Sequence, residues 1–226
     1  MGKGKLEKFA ELKTFTNTIE IPDGHLIDSH PLKGNWSDEI FQNSNPIVLE
    51  LGCGKGEYTV NMARKFPKKN FIGVDIKGNR IWTGAKAAHE EGLKNVAFVR
   101  IRIDFVEKVF GENEVSEIWV TFPDPQPKKE RKRLTSPFFL EKYRSFIKPD
   151  APVHLKTDNF PLYEYTAELI KENDFELIDS SAQLYKDLEK NAHQFANSEE
   201  VLRIKTFYER MFLDEGKNIC YLRFKI

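Results

Sequence analysis

The chain has 226 residues, with 35 Lys+Arg, 35 Asp+Glu and five His, so it is formally neutral at pH 7. At 40% hydrophobic and 31% charged it is too apolar and too evenly charged for a disordered chain, and it is long enough to bury a core as one large domain. No apolar run approaches the roughly 18–20 residues of a membrane helix, and the opening MGKGKLEKFAELK lacks the apolar stretch of a secretory signal.

Residues 1–45 are mixed and polar, and read as an N-terminal arm plus a lead-in containing Trp36 and Phe41. From residue 46 the texture changes to that of a single domain running to 226. Ile47–Leu51 (IVLEL) is an apolar run ending in glycines, which predicts a buried parallel strand. Tyr58, Met62, Ala63 and Phe66 then recur at helical spacing, and Pro67 closes that helix. Strands are expected over 71–75, 96–101, 116–121, 153–157 and 175–180. They alternate with helices over 80–90, 105–110, 137–147 and 161–171. The polar stretch 186–200 reads as loop or helix, and 218–225 alternates as a last, antiparallel strand. The fold class expected is α/β, Rossmann-like: an open, mostly parallel sheet of seven strands with helices on both faces. Ligands in such sheets sit outside the carboxyl ends of the strands.

Two cysteines, Cys53 and Cys220, are no disulfide framework, and no Cys/His pair has zinc spacing, so no metal is expected and a reducing cytoplasm is the simpler setting. The overall neutrality hides a local asymmetry. Residues 128–133 (KKERKR) carry five cations and one acid, whereas residues 171–200 hold eight acids against three Lys.

After the first strand comes Glu50-Leu51-Gly52-Cys53-Gly54-Lys55-Gly56. Glycines here permit a tight turn and a close approach to a ligand. The dinucleotide fingerprint would need a third glycine at Glu57, and the acid at Glu50 would repel a pyrophosphate. It suits a ligand that is cationic and lacks phosphate, as S-adenosylmethionine is. Asp75 ends the next strand, 19 residues after Gly56, where an acid can bind ribose hydroxyls. Asp104 follows the third strand and meets either an adenine edge or a helix cap.

The fourth strand leads into Thr121-Phe122-Pro123-Asp124-Pro125-Gln126-Pro127-Lys128. Alternate prolines are expected to hold this loop extended and to fix Asp124 at the ligand end. The basic run directly after it would dock a nucleic-acid backbone against the pocket.

ELGCGKGEYT, FIGVDIKGNR, TFPDPQPKKERKRL, LKTDN and TFYE, in that order, resemble the bacterial tRNA (guanine-N7)-methyltransferases, class I enzymes dependent on S-adenosylmethionine. The resemblance covers about residues 31–221. It implies methyl transfer to N7 of guanine 46 in the variable loop of tRNA, with tRNA as partner and no obligatory protein partner or membrane. Residue by residue, it implies Glu50, Gly52, Gly54, Gly56, Asp75, Asp104 and Asp124 at the methyl donor, with Asp124 catalytic. It implies Lys128, Asp158, Thr206, Phe207, Tyr208 and Glu209 at the substrate. It assigns Glu130, Arg131, Lys132, Arg133, Leu134 and Thr135 to the RNA-facing stretch. The chain departs from the family in having Gln126 where a Trp is common and Phe207 where a Lys is usual, and the family more often has Glu at Asp75. Guanine N7 carries its own lone pair, so alignment rather than deprotonation is the task. Asp124 and Asp158 are expected to accept from the guanine N1–H and 2-amino group. Two alternatives are a methyltransferase for another RNA and a catalytically silent RNA-binding relative.

Overall fold

A computed structural model describes residues 3–226 apart from 22 and 197. Positions 1, 2 and 22 of the arm, and 197 of the acidic stretch, lie outside the described residues. The strands are β1 (Thr18–Glu20), β2 (Ile47–Leu51), β3 (Asn70–Asp75), β4 (Val96–Arg100), β5 (Val115–Thr121), β6 (Val153–Thr157), β7 (Glu176–Ser181) and β8 (Cys220–Lys225). They form one sheet in the order β1-β4-β3-β2-β5-β6-β8-β7. All neighbouring pairs are parallel except those made by β8, which runs antiparallel between β6 and β7.

The sheet has eight strands rather than the expected seven. The extra one, β1, comes from the segment read as an arm. Its three residues, TIE, are too short to carry an apolar pattern. They form a strand because the edge of β4 offers unpaired backbone groups, with Thr18–Glu20 in register with Phe98–Arg100. An ion pair between Arg100 and Glu20 at 2.7 Å closes this edge.

Strand period sorts the apolar residues onto two faces. Ile47, Leu49 and Leu51 of β2 join one core with Ile72, Val74, Val99, Ile118 and Leu155. Val48 joins the other with Phe71, Phe98, Trp119 and Tyr221. β2 is buried at all five positions, as a two-sided central strand must be. Helices α1 (Lys3–Leu12), α2 (Glu57–Lys65), α3 (Gly78–Glu90), α4 (Pro137–Arg144) and α5 (Phe160–Glu172) alternate with the strands. Leu12 of α1 packs into the same core as Ile81, Ala85 and Ala88 of α3. Trp36 is fully buried; it stacks on Phe110 with centroids 5.3 Å apart and donates Nε1–H to the carbonyl of Val109 at 2.9 Å. The expected helix over 105–110 is a 3₁₀ segment, Ile103–Lys108. The acidic stretch folds as α6 (Leu184–Lys190), a 3₁₀ turn (Ala192–Phe195) and α7 (Glu199–Leu202). One further helix, α8 (Phe207–Asp214), follows.

The strand order reverses between β2 and β5. The crevice outside their carboxyl ends is therefore the place for a ligand.

Candidate active site

The chain leaves β2 through Gly52 (φ +80°), Gly54 (φ +55°) and Gly56 (φ +72°), all in the left-handed region. A Cβ on Gly54 would meet no protein atom within 4 Å, so within the protein it is the backbone conformation that calls for glycine there. At Gly56 a Cβ would lie 2.6 Å from the Phe98 ring and 3.2 Å from the Cα of Gly84. The third glycine thus packs α2 against α3 and β4, and only the first two line cavities.

Asp75 ties this turn to the next loop. Its Oδ2 accepts from Gly54 N–H at 3.0 Å and its Oδ1 from Lys77 N–H at 2.8 Å. Glu50 points to the opposite face of β2 from Leu49 and Leu51 and is only 2% exposed. One oxygen accepts from both the N–H (2.9 Å) and the hydroxyl of Thr59, and the other from the hydroxyl of Thr121. Burial pushes its carboxyl up to about 7, against the opposing pull of the Thr121 and Thr59 hydrogen bonds. The same burial, with the charges of Glu50 and Asp75, holds the Cys53 thiol well above its ordinary value, so Cys53 fills space beside the site and is not a reactive thiolate.

Two cavities meet at Gly52. One, of about 360 Å³, is lined by Asp75, Ile76, Ile103, Asp104, Leu134 and Phe139 together with Gln126, Lys132 and Arg102. Acids against apolar walls suit a nucleoside. Asp104 is half-buried here and lies 3.3 Å from the Arg102 guanidinium. The other cavity, of about 110 Å³, is lined by Glu50, Cys53, Thr121, Phe122, Thr206 and Tyr208 together with Lys55, Glu57 and Arg80. Donor and acceptor groups for the charged end of a ligand are thus set beside a nucleoside slot.

The loop after β5 is not extended throughout. Phe122 (φ +48°) and Gln126 (φ +46°) are left-handed, an uncommon state for a bulky side chain. Phe122 N–H donates to the carbonyl of Lys156 at 2.7 Å, and its ring packs against Phe212 at 6.0 Å. The exposed Asp124 accepts from Gln126 N–H at 3.1 Å, which turns the chain. Its pose is set by this turn and the flanking prolines together.

The basic stretch divides in two. Lys128, Lys129, Glu130, Arg131 and Lys132 are exposed. Arg133 is 8% exposed; it donates to the carbonyl of Pro125 at 3.2 Å and stacks over Tyr165 at 4.1 Å, so it staples the loop from behind. Thr135 is buried against Thr166 at 2.8 Å, and Leu134 faces the nucleoside cavity. Of the residues expected to face RNA, Arg133, Leu134 and Thr135 instead build the wall that carries the others.

Thr206 and Glu209 form a reciprocal cap on α8, with Thr206 Oγ1 accepting from Glu209 N–H at 3.2 Å. Glu209 is fully buried, and its Oε1 lies 2.8 Å from Nζ of Lys156, also fully buried. Lys156 Nζ donates further to the carbonyls of Leu202 (2.8 Å) and Ile204 (3.0 Å), and Tyr185 donates to Glu209 at 2.6 Å. Burial draws the Lys156 ammonium below its ordinary value while Glu209 opposes the shift. Glu209 therefore holds its helix in place, and Phe207 and Tyr208 are the exposed members of the group. Sequence reasoning passed over Lys156. The signal was a lysine inside a strand buried at all five positions, where an unpaired charge is not tolerated.

Asp124 lines neither of the two cavities at Gly52, and Asp158 lies apart from both. It lines a separate one of about 430 Å³ with Phe160, Gln183 and Asn218, its carboxylate 4.0 Å from Lys217. The expected joint grip of Asp124 and Asp158 on one guanine thus finds no common pocket. His154, fully buried, stacks on Trp119 at 3.9 Å and bonds the Tyr221 hydroxyl at 2.8 Å, a core role.

The model of a family described as "Putative methyltransferase" matches residues 44–222. A protein of Bacteroides thetaiotaomicron called tRNA (guanine-N(7)-)-methyltransferase is 49% identical, over 100% of this chain and 87% of its own length. One of the same name from Christiangramia forsetii is 51% identical, over 99% of this chain and 98% of its own. Among solved structures, the 16S rRNA methyltransferase KamB superposes with a TM-score of 0.63 at 18% identity, covering 87% of this chain and 95% of that one. That likeness is one of fold. The same fold also carries the [4+2]-cyclase SpnF, at a TM-score of 0.54, 13% identity and 84% and 78% coverage.

Proposed function

The chain belongs to the tRNA (guanine-N7)-methyltransferase family, and we propose that it methylates N7 of guanine 46, in the variable loop of tRNA in the cytoplasm. The observation that carries this reading is the pair of cavities meeting at Gly52, beside a loop that exposes Asp124 and four cations. S-adenosylmethionine supplies the methyl group, as an electrophile on a sulfonium.

The chain's residues fit that donor. Asp75 and Asp104 offer carboxylates to the ribose and adenine side, and Ile76, Ile103, Leu134 and Phe139 offer apolar walls. Glu50, with Thr121 and Thr59 bonded to it, offers a buried acceptor to the cationic end. A cation beside Glu50 would favour its ionised form, reversing the effect of burial.

Guanine N7 needs no base to deprotonate it. The work of the protein is to hold N7, methyl and sulfur in line. Asp124, fixed by its turn and by Pro123 and Pro125, offers a carboxylate to the base as positive charge passes to the purine. Lys128, Lys129, Arg131 and Lys132 offer counter-charge to phosphates and so orient the tRNA.

The test uses purified protein, radiolabelled S-adenosylmethionine and two unmodified tRNA transcripts, one with guanine and one with adenine at the target. Label on the guanine transcript alone, with strand scission by aniline at that base, is expected. Label on neither, with the methyl donor still bound, would refute the reading. Asp124→Ala should lower kcat far more than donor affinity, and equal losses in both would remove its catalytic assignment.

A further inference from the structure

The smaller cavity holds two cations, Lys55 and Arg80, opposite the buried Glu50. Both are exposed, and among the described residues no carboxylate lies within ion-pair reach of either. The acids of the cavity wall are engaged elsewhere. Glu57 Oε2 accepts from Phe207 N–H at 2.7 Å, and Glu50 turns its oxygens to Thr59 and Thr121.

Arg80 reaches this cavity through the way α3 is laid down. The helix has three sides. Ile81 and Ala85 enter the core, and Trp82 and Lys86 bond Glu11 of α1. Arg80 and Gly84, four apart, share the third side. A Cβ on Gly84 would lie 2.7 Å from the carbonyl oxygen of Lys55 and 3.0 Å from the Cα of Gly56. Only glycine lets α3 lie this close to the turn after β2, and the side chain one helical turn earlier is thereby carried to the cavity. In that turn the N–H of Lys55 donates to no acceptor among the described residues.

S-adenosylmethionine carries both signs of charge at its amino-acid end. Glu50 offers an acceptor to the cationic groups. The carboxylate of the same end would lie unpaired beside a buried acid, which is costly. Building on the donor assigned above, we infer that Arg80 binds the carboxylate of the methionine end of S-adenosylmethionine. A planar guanidinium can grip both carboxylate oxygens at once. Lys55 is a point charge, and its Nζ lies over the Phe207 ring at 5.3 Å. A tRNA phosphate is the competing anion. Arg80 shares its cavity with Glu50, Cys53 and Thr121, however, while the exposed cations 128, 129, 131 and 132 lie on the loop after β5.

The test is calorimetric titration without tRNA, using S-adenosylmethionine and its decarboxylated form. The latter keeps adenosine, sulfonium and ammonium and lacks only the carboxylate. Wild-type protein should bind the complete donor at least about tenfold more tightly. Arg80→Gln should weaken the complete donor about tenfold and the decarboxylated form by less than about twofold, and Arg80→Lys should recover part of the loss. Equal losses for the two ligands overturn the inference, as does a loss below about twofold for the complete donor. So does a carboxylate-dependent loss in Lys55→Met in place of Arg80→Gln. A rise in KM for tRNA alone in Arg80→Gln also overturns it and makes Arg80 a phosphate contact. Should wild-type protein bind the donor and methylate no tRNA, the functional reading fails, while the comparison of the two ligands still decides the role of Arg80. A wild type that binds neither ligand overturns both.

Discussion

Lys156→Met replaces the buried ammonium by an apolar chain of similar length, and its cost follows from what is left behind. In the wild type Nζ faces Glu209 Oε1 at 2.8 Å, Leu202 O at 2.8 Å and Ile204 O at 3.0 Å, with the Tyr185 hydroxyl farther off at 3.4 Å. The substitution removes the counter-charge of a carboxylate, and a donor from two carbonyls, in a region where Lys156 and Glu209 are both 0% exposed. Breaking one side of a buried pair costs about 3–5 kcal/mol. For a chain of this size, 1 kcal/mol moves Tm by roughly 2–4 °C, so a drop of about 6–20 °C is expected. Lys156→Met with Glu209→Leu removes both charges and should recover part of the loss. It should not recover all of it, because Tyr185 loses its 2.6 Å bond to Glu209 and keeps only the 3.4 Å one to the Leu202 carbonyl, and the Thr206 cap loses its reciprocal bond. Urea denaturation of the wild type, both single variants and the double variant gives the coupling directly, expected at about 1–3 kcal/mol. A single-variant loss below about 1 kcal/mol, or additive losses, would refute the reasoning. In the same variants KM for tRNA should rise, because the pair is what holds the start of α8 against β6.

Glu50, pushed by burial from 4.5 to about 7, binds a proton more readily in the folded state than in the unfolded one. Its contribution is therefore largest below pH 4.5 and is lost as pH rises to about 7, a fall of about 3 kcal/mol. Glu50→Gln should flatten stability over that window in pH-dependent urea melts, and an unchanged slope would exclude this origin. Replacing Lys128, Arg131 and Lys132 together by Ala should make the log–log salt slope of tRNA binding shallower by about 2–3, whereas Arg133→Ala should chiefly destabilise the loop. Equal salt slopes in wild type and the triple variant would argue against phosphate contacts there. Gly56→Ala forces a Cβ against Phe98 and Gly84 at a φ of +72°, and should cost about 2–4 kcal/mol by thermal or chemical melting.

What the sequence by itself determined is what depends on neighbours along the chain. The run Ile47–Leu51 ending in glycines, the strand–helix alternation and the acid that ends β3 all follow from local period and turn chemistry, and the parallel sheet with its antiparallel final strand stands where that pattern put it. Three things needed the tertiary structure. The strand β1 exists because β4 lends it hydrogen-bond partners, a fact absent from the letters TIE. The basic run KKERKR is uniform as text, but packing against Pro125 and Tyr165 turns Arg133 inward and leaves its neighbours in water. Lys156 and Glu209 are 53 residues apart in sequence, and only the folding of α7 and α8 back over β6 brings their charges together. Local preference is written in short stretches of sequence. The partner of a buried charge, and the side of a helix that meets solvent, are decided by which distant residues arrive beside it.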